Sequence, residues 1–274
     1  MPMIRVNGTA IYYEDTGGTG APIVFSHGLL WNTTIFAPQI AALKKHYRCI
    51  AYDHRGQGRS ADGFGRSIDM ETVTEDAAAL VERLGIEPVH FCGLSMGGIV
   101  GMRLAISRPD LIRSLILLDT TADPEPYKLK YRMLNLFARC FGLGLAAKAV
   151  MPALYGKTTL QDPARTEECV HWQQQIAANR GSIWRAVNGV LERHSIHEQL
   201  REIAVPTLVV VGDEDVGTPP AMAERIARAI TGAKLIVVPR AGHCSTLEQP
   251  TIVNAAIGAF LARQVQAQVQ SAIA

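Results

Sequence analysis

Six apolar runs rich in Val, Ile and Leu recur along the chain, and segments with helical periodicity lie between them. Each run is continuously apolar rather than alternating, which is typical of strands covered on both faces in a parallel sheet. Strands that alternate with helices in this way predict an α/β fold. The runs are PIVFS (22–26), YRCIAYD (47–53), VHFCGL (89–94), LIRSLILLD (111–119), PTLVVVG (206–212) and AKLIVVP (233–239).

Two shorter strands and three helices extend this prediction. MIRV and AIYYED flank Asn7-Gly8, a residue pair that favours a tight hairpin. In residues 70–84 the apolar side chains recur at helical spacing, and Gly85 marks the end of the helix. Helical patterns also cover residues 219–230 and 252–261, and we expect the apolar stripe of the second to pack on the sheet.

Residues 123–200 break the alternation, because they carry helical patterns and aromatic side chains but no strand-like run. An all-helical insertion between two strands of a parallel sheet lies at the carboxyl edge of the sheet, where α/β proteins bind ligands. We therefore expect a core of residues 1–122 and 201–274 and a helical cap of residues 123–200. Breaks within the cap are predicted at GLGL (142–145) and MPALYGKTTLQDP (151–163).

Ser95 lies in Gly-Leu-Ser-Met-Gly (93–97), which fits the pattern G-x-S-x-G with a predicted strand before it and a predicted helix after it. The glycines allow a sharp strand-to-helix turn that exposes the hydroxyl above the sheet. The hydroxyl then lies beside a helix N-terminus, which favours developing negative charge. This context predicts Ser95 as a nucleophile, and the alternative is an ordinary turn.

A serine hydroxyl needs a base before it can attack a carbonyl, and His243 follows the last predicted strand. In this architecture the acid lies between the serine and the histidine along the chain. Asp215 follows PTLVVVG, lies 28 residues before His243, and is the preferred acid. Asp213, Glu214 and Asp119 also follow strands, so the residues alone leave the acid open.

The loop that begins at His27-Gly28 follows the first predicted parallel strand and is expected to supply one donor to an oxyanion hole. We assign the two oxyanion donors to the backbone N–H groups of Leu29 and Met96. The stretch DHRGQGRS (53–60) fits no phosphate-binding pattern. We expect Asp53, His54 and Arg55 of this stretch, together with His27, to hold this loop in place.

Five motifs occur in order along the chain, namely HG (27–28), DHRGQGRS (53–60), GLSMGG (93–98), GDED (212–215) and AGHCSTLEQP (241–250). With them, residues 3–263 resemble the serine-nucleophile branch of the α/β-hydrolase superfamily, and look most similar to 3-oxoadipate enol-lactonase-like esterases. The resemblance implies an eight-stranded, mostly parallel sheet flanked by helices, with an antiparallel strand near the start and a helical cap after the sixth strand. It also implies that the acid is the fourth residue of GDED, Asp215. A serine at position 95 argues against haloalkane dehalogenases and epoxide hydrolases, which use a carboxylate there.

These residues predict a serine hydrolase in which Ser95, His243 and Asp215 cleave a small-molecule ester or lactone through an acyl-enzyme. No organic cofactor and no metal ion is expected. An ordinary histidine base predicts activity that falls below about pH 6.5. The alternatives are a 3-oxoadipate enol-lactonase-type lactonase, a C–C bond hydrolase, a cofactor-free haloperoxidase-like enzyme and a small-molecule receptor that retains the triad. Arg180 and Arg185 are either partners for an acidic substrate or part of a solvated helix face.

Composition narrows the expected partners. The chain carries 27 Lys and Arg against 25 Asp and Glu, a formal charge of +2, which indicates neither a nucleic-acid nor a membrane partner. The N-terminus lacks a secretion-signal pattern and no apolar run reaches membrane-spanning length, so a cytoplasmic protein is expected. The five cysteines form no CxxC pair, which predicts reduced thiols. The oligomeric state is left open, a homodimer included.

Overall fold

An eight-stranded sheet forms the centre of the computed structural model, which describes residues 2–62 and 65–273, with side chains as far as residue 266. Its strands are β1 (Met3–Val6), β2 (Thr9–Asp15), β3 (Pro22–Ser26), β4 (Arg48–Tyr52), β5 (Val89–Leu94), β6 (Ile112–Leu118), β7 (Thr207–Gly212) and β8 (Lys234–Val238). The strand order is β1-β2-β4-β3-β5-β6-β7-β8. Only the β1–β2 and β2–β4 pairs are antiparallel within the described residues, which confirms the predicted mostly parallel sheet.

The β1–β2 hairpin has the predicted turn. Asn7 and Gly8 both have left-handed φ angles, 43° and 73°, which the Asn-Gly pair tolerates and which match the twist of the flanking strands. At the other edge of the sheet, the prediction that both faces of β8 are covered is wrong, because Val237 is exposed. An edge strand has one neighbour, and the side chains of β8 face solvent in part.

Helices cover both faces of the sheet. They are α1 (Ala37–Leu43), α2 (Met70–Leu84), α3 (Met96–Ser107), α4 (Lys128–Phe141), α5 (Leu143–Leu154), α6 (Lys157–Gln161), α7 (Thr166–Ala177), α8 (Trp184–Leu191), α9 (Pro220–Ala229), α10 (Ser245–Glu248) and α11 (Pro250–Ile273). Local signals set their ends, as in α2, where the Asp69 carboxylate accepts the Thr72 N–H at 2.7 Å and Gly85 follows with a φ of 61°.

The sheet separates two apolar clusters. Successive side chains of a strand point to opposite faces, so Val24 of β3 belongs to one cluster while Ile23 and Phe25 belong to the other. Helices α2 and α3 pack together beside the first cluster, and α1 packs against α11 beside the second. A sheet buried on both faces holds the carboxyl ends of its central strands in fixed positions.

Five helices, α4 to α8, lie between β6 and β7 and occupy the predicted insertion. The described residues 123–200 contain no strand. The predicted break at 151–163 is too wide, because α5 continues through Pro152 to Leu154. The division into a core and a cap stays a prediction, and residues 123–200 are called the cap segment below.

None of the helices in the described part of the chain is both long enough and apolar enough to cross a membrane.

Candidate active site

Ser95 lies between β5 and α3, at the turn that the glycine motif predicts. Its backbone angles, φ 52° and ψ −114°, are strained for a residue with a side chain. Two hydrogen bonds hold this conformation: the Ser95 N–H donates to the Leu118 carbonyl at 2.9 Å, and the Thr120 hydroxyl donates to the Ser95 carbonyl at 2.7 Å. A Cβ added at Gly97 would meet the Ser26 carbonyl, so a glycine is needed there for the turn to pack against β3.

Ser95, His243 and Asp215 form one chain of hydrogen bonds. His243 Nε2 lies 2.7 Å from Ser95 Oγ, and His243 Nδ1 lies 2.9 Å from Asp215 Oδ2. A carboxylate only accepts hydrogen bonds, so the ring donates from Nδ1 to Asp215, and Nε2 of the neutral ring accepts from the serine hydroxyl. The arrangement is that of a base set to remove the hydroxyl proton.

Asp215 is fixed by its own loop. Asp215 Oδ1 accepts the N–H groups of Gly217 at 2.8 Å and Thr218 at 2.9 Å, and Oδ2 accepts the Thr218 hydroxyl at 2.8 Å. The Thr218 hydroxyl also lies 3.1 Å from His243 Nδ1. Sequence analysis missed Thr218, since a threonine two positions after a turn is common and only the folded loop brings it to the ring.

The other candidate acids have different partners. Asp213 accepts the Ala241 N–H at 3.4 Å, and Glu214 accepts the Thr158 hydroxyl and N–H of the cap segment at 2.5 and 2.8 Å. Asp119 accepts Gly212 N–H and the Ser245 hydroxyl. Only Asp215 among these four hydrogen-bonds the His243 ring within the described residues.

Asp119 is the strongest alternative to Asp215 as the acid, because it too is buried close to His243. Burial raises the pKa of Asp119 well above its usual value, and the charge of Asp215 raises it further. Its Oδ2 accepts the Ser245 hydroxyl at 2.6 Å, so it anchors the start of α10, two residues after His243.

Two opposing effects act on the pKa of His243. Burial, the largest single effect, lowers it, but the charge and hydrogen bond of Asp215, with smaller contributions from the charges of Asp119 and Glu248, together outweigh burial and raise the pKa to about 9. The ring therefore differs from the ordinary histidine that the sequence suggests. It binds its proton well above neutral pH.

The two predicted oxyanion donors belong to segments beside the serine: Met96 follows Ser95 in the chain, and a Cβ added at Gly28, which precedes Leu29, would lie 3.3 Å from Ser95 Cβ. Within the described residues, neither the Leu29 nor the Met96 N–H donates to a protein acceptor. Leu29 lines the same cavity as Ser95 and His243. Two free amides beside the nucleophile suit an oxyanion, although their role stays a prediction.

Gln57 connects the two segments that carry these donors, and sequence analysis did not single it out. Its side-chain carbonyl accepts the Leu30 N–H at 3.0 Å, and its Nε2 lies 3.6 Å from Met96 Sδ. Leu30 has a left-handed φ of 71°. From the cap segment, the Asn179 amide donates to the Leu30 carbonyl at 2.8 Å. The peptide groups around Leu30 are therefore held from the core on one side and from the cap segment on the other.

His27 contacts backbone atoms of the neighbouring loops. Its Nδ1 lies 2.7 Å from the Gly28 carbonyl, and its Nε2 accepts the His54 N–H at 3.0 Å. Asp53 accepts the N–H groups of Thr33 and Arg59, both at 2.7 Å. These contacts match the expected loop-holding role of His27, Asp53 and His54. Arg55 instead donates to the Asp76 carboxylate and to the Asn7 carbonyl.

Glu248, in the motif AGHCSTLEQP, ties the histidine loop to the cap segment. Its side chain is buried, and burial raises its pKa. One carboxylate oxygen accepts the Gly242 N–H and the other accepts the Gly156 N–H, both at 2.8 Å. Gly242 precedes His243, so Glu248 fixes the base relative to α6.

A cavity of about 180 Å³ opens between the sheet edge and the cap segment, with Ser95 and His243 on its wall. Its other walls are largely apolar. Glu125 and Arg193 add an ion pair with N–O separation of 3.4 Å. The remaining lining residues include Leu29, Leu30, Trp31, Leu134, Val150, Ile183 and Val187.

Arg180 and Arg185, the candidate partners for an acidic substrate, do not line this cavity. Arg180 instead donates to the Asp62 carboxylate at 2.9 Å and to the Gly58 carbonyl at 2.6 Å. Arg185 stacks on the Trp184 ring, with its guanidinium carbon 5.2 Å from the ring centroid. In the described part of the chain, no three His, Cys, Asp or Glu side chains are grouped so that they could hold a metal ion.

A family model described as "Alpha/beta hydrolase family" matches residues 23–256, most of the chain. The chain belongs to the alpha/beta hydrolase family. This confirms the resemblance drawn from the five motifs, and it establishes the chain as a hydrolase.

Relatives of this hydrolase match it over nearly their full length. The "Putative carbamate hydrolase RutD" of Caulobacter sp. (strain K31) is 31% identical over 258 residues, which are 92% of this chain and 95% of the relative. A thermophilic esterase from Thermogutta terrifontis superposes with a TM-score of 0.89 at 31% identity, over 96% of this chain and 99% of the esterase. The enol-lactonase from Burkholderia xenovorans LB400 superposes with a TM-score of 0.88 at 28% identity, over 95% of this chain and 100% of the lactonase.

Proposed function

We propose that this hydrolase cleaves a carboxylic ester or lactone of a small molecule through an acyl-enzyme on Ser95. The observation that carries the proposal is the hydrogen-bond chain from Ser95 Oγ through His243 to Asp215 on the wall of an apolar cavity. A serine with a strained backbone, a base at 2.7 Å and a fixed carboxylate behind the base are the parts that acyl transfer needs.

In the first step Ser95 Oγ forms a bond to the substrate carbonyl carbon, and His243 Nε2 takes the hydroxyl proton. The carbonyl oxygen becomes an oxyanion, which accepts hydrogen bonds from the Leu29 and Met96 amides, each worth about 3–4 kcal/mol in the transition state. The carbon–oxygen bond to the leaving group then breaks, and the ring returns the proton to the departing alkoxide. Asp215 stabilises the imidazolium in between.

In the second step a water molecule attacks the acyl-enzyme and gives its proton to His243 Nε2. The bond between the acyl carbon and Ser95 Oγ breaks, the serine regains the proton from the ring, and the carboxylic acid leaves. No proton or electron is left over, so the cycle needs only substrate and water.

The cavity favours a substrate without net charge. Its walls are mostly apolar, with polar groups from Thr120, Thr121 and Asn135, and the charged side chains of Glu125 and Arg193 neutralise each other. A carboxylate in the substrate would have to compete with Glu125 for Arg193. The esterase and the enol-lactonase among the relatives support an ester or lactone, and the relative named as a carbamate hydrolase adds carbamates to the panel worth testing.

The test is hydrolysis of short p-nitrophenyl esters, followed by a panel of lactones and carbamates. We expect saturable turnover that Ser95→Ala lowers by at least about 10⁴-fold, because the nucleophile is lost while the oxyanion donors remain. A fluorophosphonate probe is expected to modify Ser95, located by peptide mapping. Labelling at another residue contradicts the proposed nucleophile, and tight ligand binding without turnover favours the receptor alternative.

A further inference from the structure

Helix α4 presents an apolar face to solvent. Five of its large apolar side chains are between 40 and 74% exposed, and Leu145 of the next helix continues the surface at 65%. The exposed residues recur at helical spacing, so they lie on one face. We call this surface the outer stripe, which consists of Leu129, Met133, Leu136, Phe137, Phe141 and Leu145. A contiguous exposed apolar surface marks an interaction site in most proteins that carry one.

The opposite face of α4 is already in use. Tyr131, Leu134, Asn135 and Ala138 line the cavity that contains Ser95. These positions are about half a turn of the helix away from the outer stripe. The helix is therefore apolar on two faces, and only the inner one is accounted for by packing against the rest of the hydrolase.

Positive charge surrounds the outer stripe. Residues 126–161 contain six Lys or Arg and no Asp or Glu, whereas the whole chain has a formal charge of only +2. On a helix with 3.6 residues per turn, Lys130 lies within the stripe, while Arg132 and Arg139 lie beyond its Leu136 edge, where the Arg139 guanidinium stacks on the Trp184 ring at 4.5 Å. Arg132 pairs with Glu192 at 3.3 Å, and in the described chain no carboxylate pairs with Lys130, Arg139 or Lys148.

We propose that the outer stripe docks on an anionic lipid surface. An amphipathic helix with large apolar side chains on one face and cations beside them lies in the plane of a membrane interface, where the apolar groups enter the lipid and the cations meet the headgroups. Docking of this kind needs no membrane-spanning helix. It departs from the expectation of no membrane partner, which followed from the net charge of the whole chain and overlooked its concentration in one segment.

A second copy of the chain fits the outer stripe less well. A two-fold interface would place the same surface of each copy against the other, and so would enclose the cations of both copies, Lys130 and Lys148 among them, in one apolar interface. Like charges at an apolar interface disfavour association, whereas anionic headgroups favour it. The positive charge of residues 126–161 therefore favours an anionic lipid surface over a second copy of the chain.

Docking would also place the cavity near the lipid. The cavity lies on the opposite face of the same helix, so it would be about 10 Å, one helix diameter, from the membrane surface. The docking itself does not depend on the proposed ester or lactone chemistry.

The test is sedimentation of the full chain with vesicles of phosphatidylcholine, alone or mixed with phosphatidylglycerol. We expect binding to the mixed vesicles only, weakened by salt. Met133→Gln is expected to weaken binding several-fold because it removes an apolar contact, whereas its control Met3→Gln, at another exposed methionine, leaves binding unchanged.

A second pair of variants tests the charge. Each cation near an anionic surface strengthens binding about fivefold, so Lys130→Gln with Lys148→Gln lowers the affinity about 25-fold. The control, Lys44→Gln with Lys45→Gln, removes the same charge from exposed positions of the core and changes affinity little. Unchanged thermal unfolding midpoints show that every variant is folded.

Three results would overturn the proposal. They are no binding to the mixed vesicles, equal binding to neutral vesicles, and equal loss of binding with the two lysine pairs. A dimer in light scattering that Met133→Gln dissociates, without vesicle binding, identifies a second copy as the occupant instead. None of these readouts uses catalysis, so they are separate from the ester hydrolysis test.

Discussion

The backbone at Ser95 has a φ of 52°, a conformation that costs about 1–3 kcal/mol for a residue with a side chain. Bonds from Leu118 and Thr120 hold it there. The strained turn aims the hydroxyl at His243 without any movement of the chain. The strain is confined to one residue, and the hydrogen bonds at the end of β6 offset its cost.

The pH dependence of activity follows from His243. The neutral ring is the base, and its pKa is raised to about 9, so kcat/KM is expected to fall as the pH drops through about 9. An ordinary histidine would keep full activity down to about pH 7. The measurement is kcat/KM for a p-nitrophenyl ester from pH 6 to pH 10, about the range over which such a ring titrates.

The Asp215→Asn variant is the control for that profile. It removes the largest of the charges that raise the pKa of His243 and leaves burial, which lowers it. Activity is expected to fall by about 10⁴-fold. The residual activity is expected to show no fall in kcat/KM as the pH drops through about 9. A variant whose residual activity keeps the same acid limb would show that another group titrates.

Gln57 gives a second prediction for a single residue. Gln57→Met keeps the length of the side chain but removes the acceptor for the Leu30 N–H. We expect kcat to fall about tenfold, the value of one hydrogen bond, while KM changes less than about twofold, because the oxyanion forms only in the transition state. Equal changes in kcat and KM, or a large fall in the unfolding midpoint, would indicate a general structural role.

Site residues differ in how far the sequence reveals them. Ser95 and His243 stand in motifs whose local structure is simple, so their positions could be predicted. Asp215 and Asp119 both follow strands, so local patterns alone left the acid open, and the family resemblance at GDED was what favoured Asp215. Gln57 lies within the motif DHRGQGRS, but its contacts are with segments distant in the sequence, and no local pattern assigns it a role.

At the scale of elements, hydrogen bonds join the cap segment to the catalytic loops. Asn179 after α7 binds the Leu30 carbonyl, Glu248 of α10 binds the Gly156 N–H before α6, and Glu214 after β7 binds Thr158 in α6. The elements themselves follow from periodicity. The connections do not, because each joins a side chain to an element far away in sequence.

Glu248 tests one of these connections. Glu248→Ala leaves the Gly156 and Gly242 N–H groups buried without an acceptor, so we expect a loss of about 1–3 kcal/mol of unfolding free energy. We also expect a lower kcat, because Gly242 precedes His243. Urea unfolding and ester hydrolysis measure the two effects, with Glu202→Ala at an exposed position as the matched control.

For the whole molecule, the sheet with two covered faces was predictable because its apolar runs are long and continuous. The edge position of β8 was not predictable, because an apolar strand has the same sequence pattern at the edge of a sheet and at its centre. The outer stripe was missed for a similar reason. An apolar face at helical spacing predicts burial, and the sequence does not say on which side of α4 the rest of the protein lies.

Buried histidines make the stability of the whole molecule depend on pH. Burial, and then the charge of Arg113, lower the pKa of His90 to about 4. Between about pH 6.5 and 4 the unfolded chain therefore binds a proton that the folded chain does not, and the free energy of unfolding falls by about 3 kcal/mol as the pH drops. His90→Asn is expected to remove this part of the dependence in urea unfolding at several pH values. His46→Asn, at an exposed position, is expected to leave it intact.

Ser95 and His243 are 148 residues apart in the chain, yet their side chains lie 2.7 Å from each other. During synthesis the serine emerges long before its base exists, so a growing polypeptide carries an inert hydroxyl until the last strand joins the sheet. The fraction of Ser95 that a fluorophosphonate labels would then measure the fraction of fully folded molecules. It could time the end of refolding in a mixture where bulk spectroscopy averages every species.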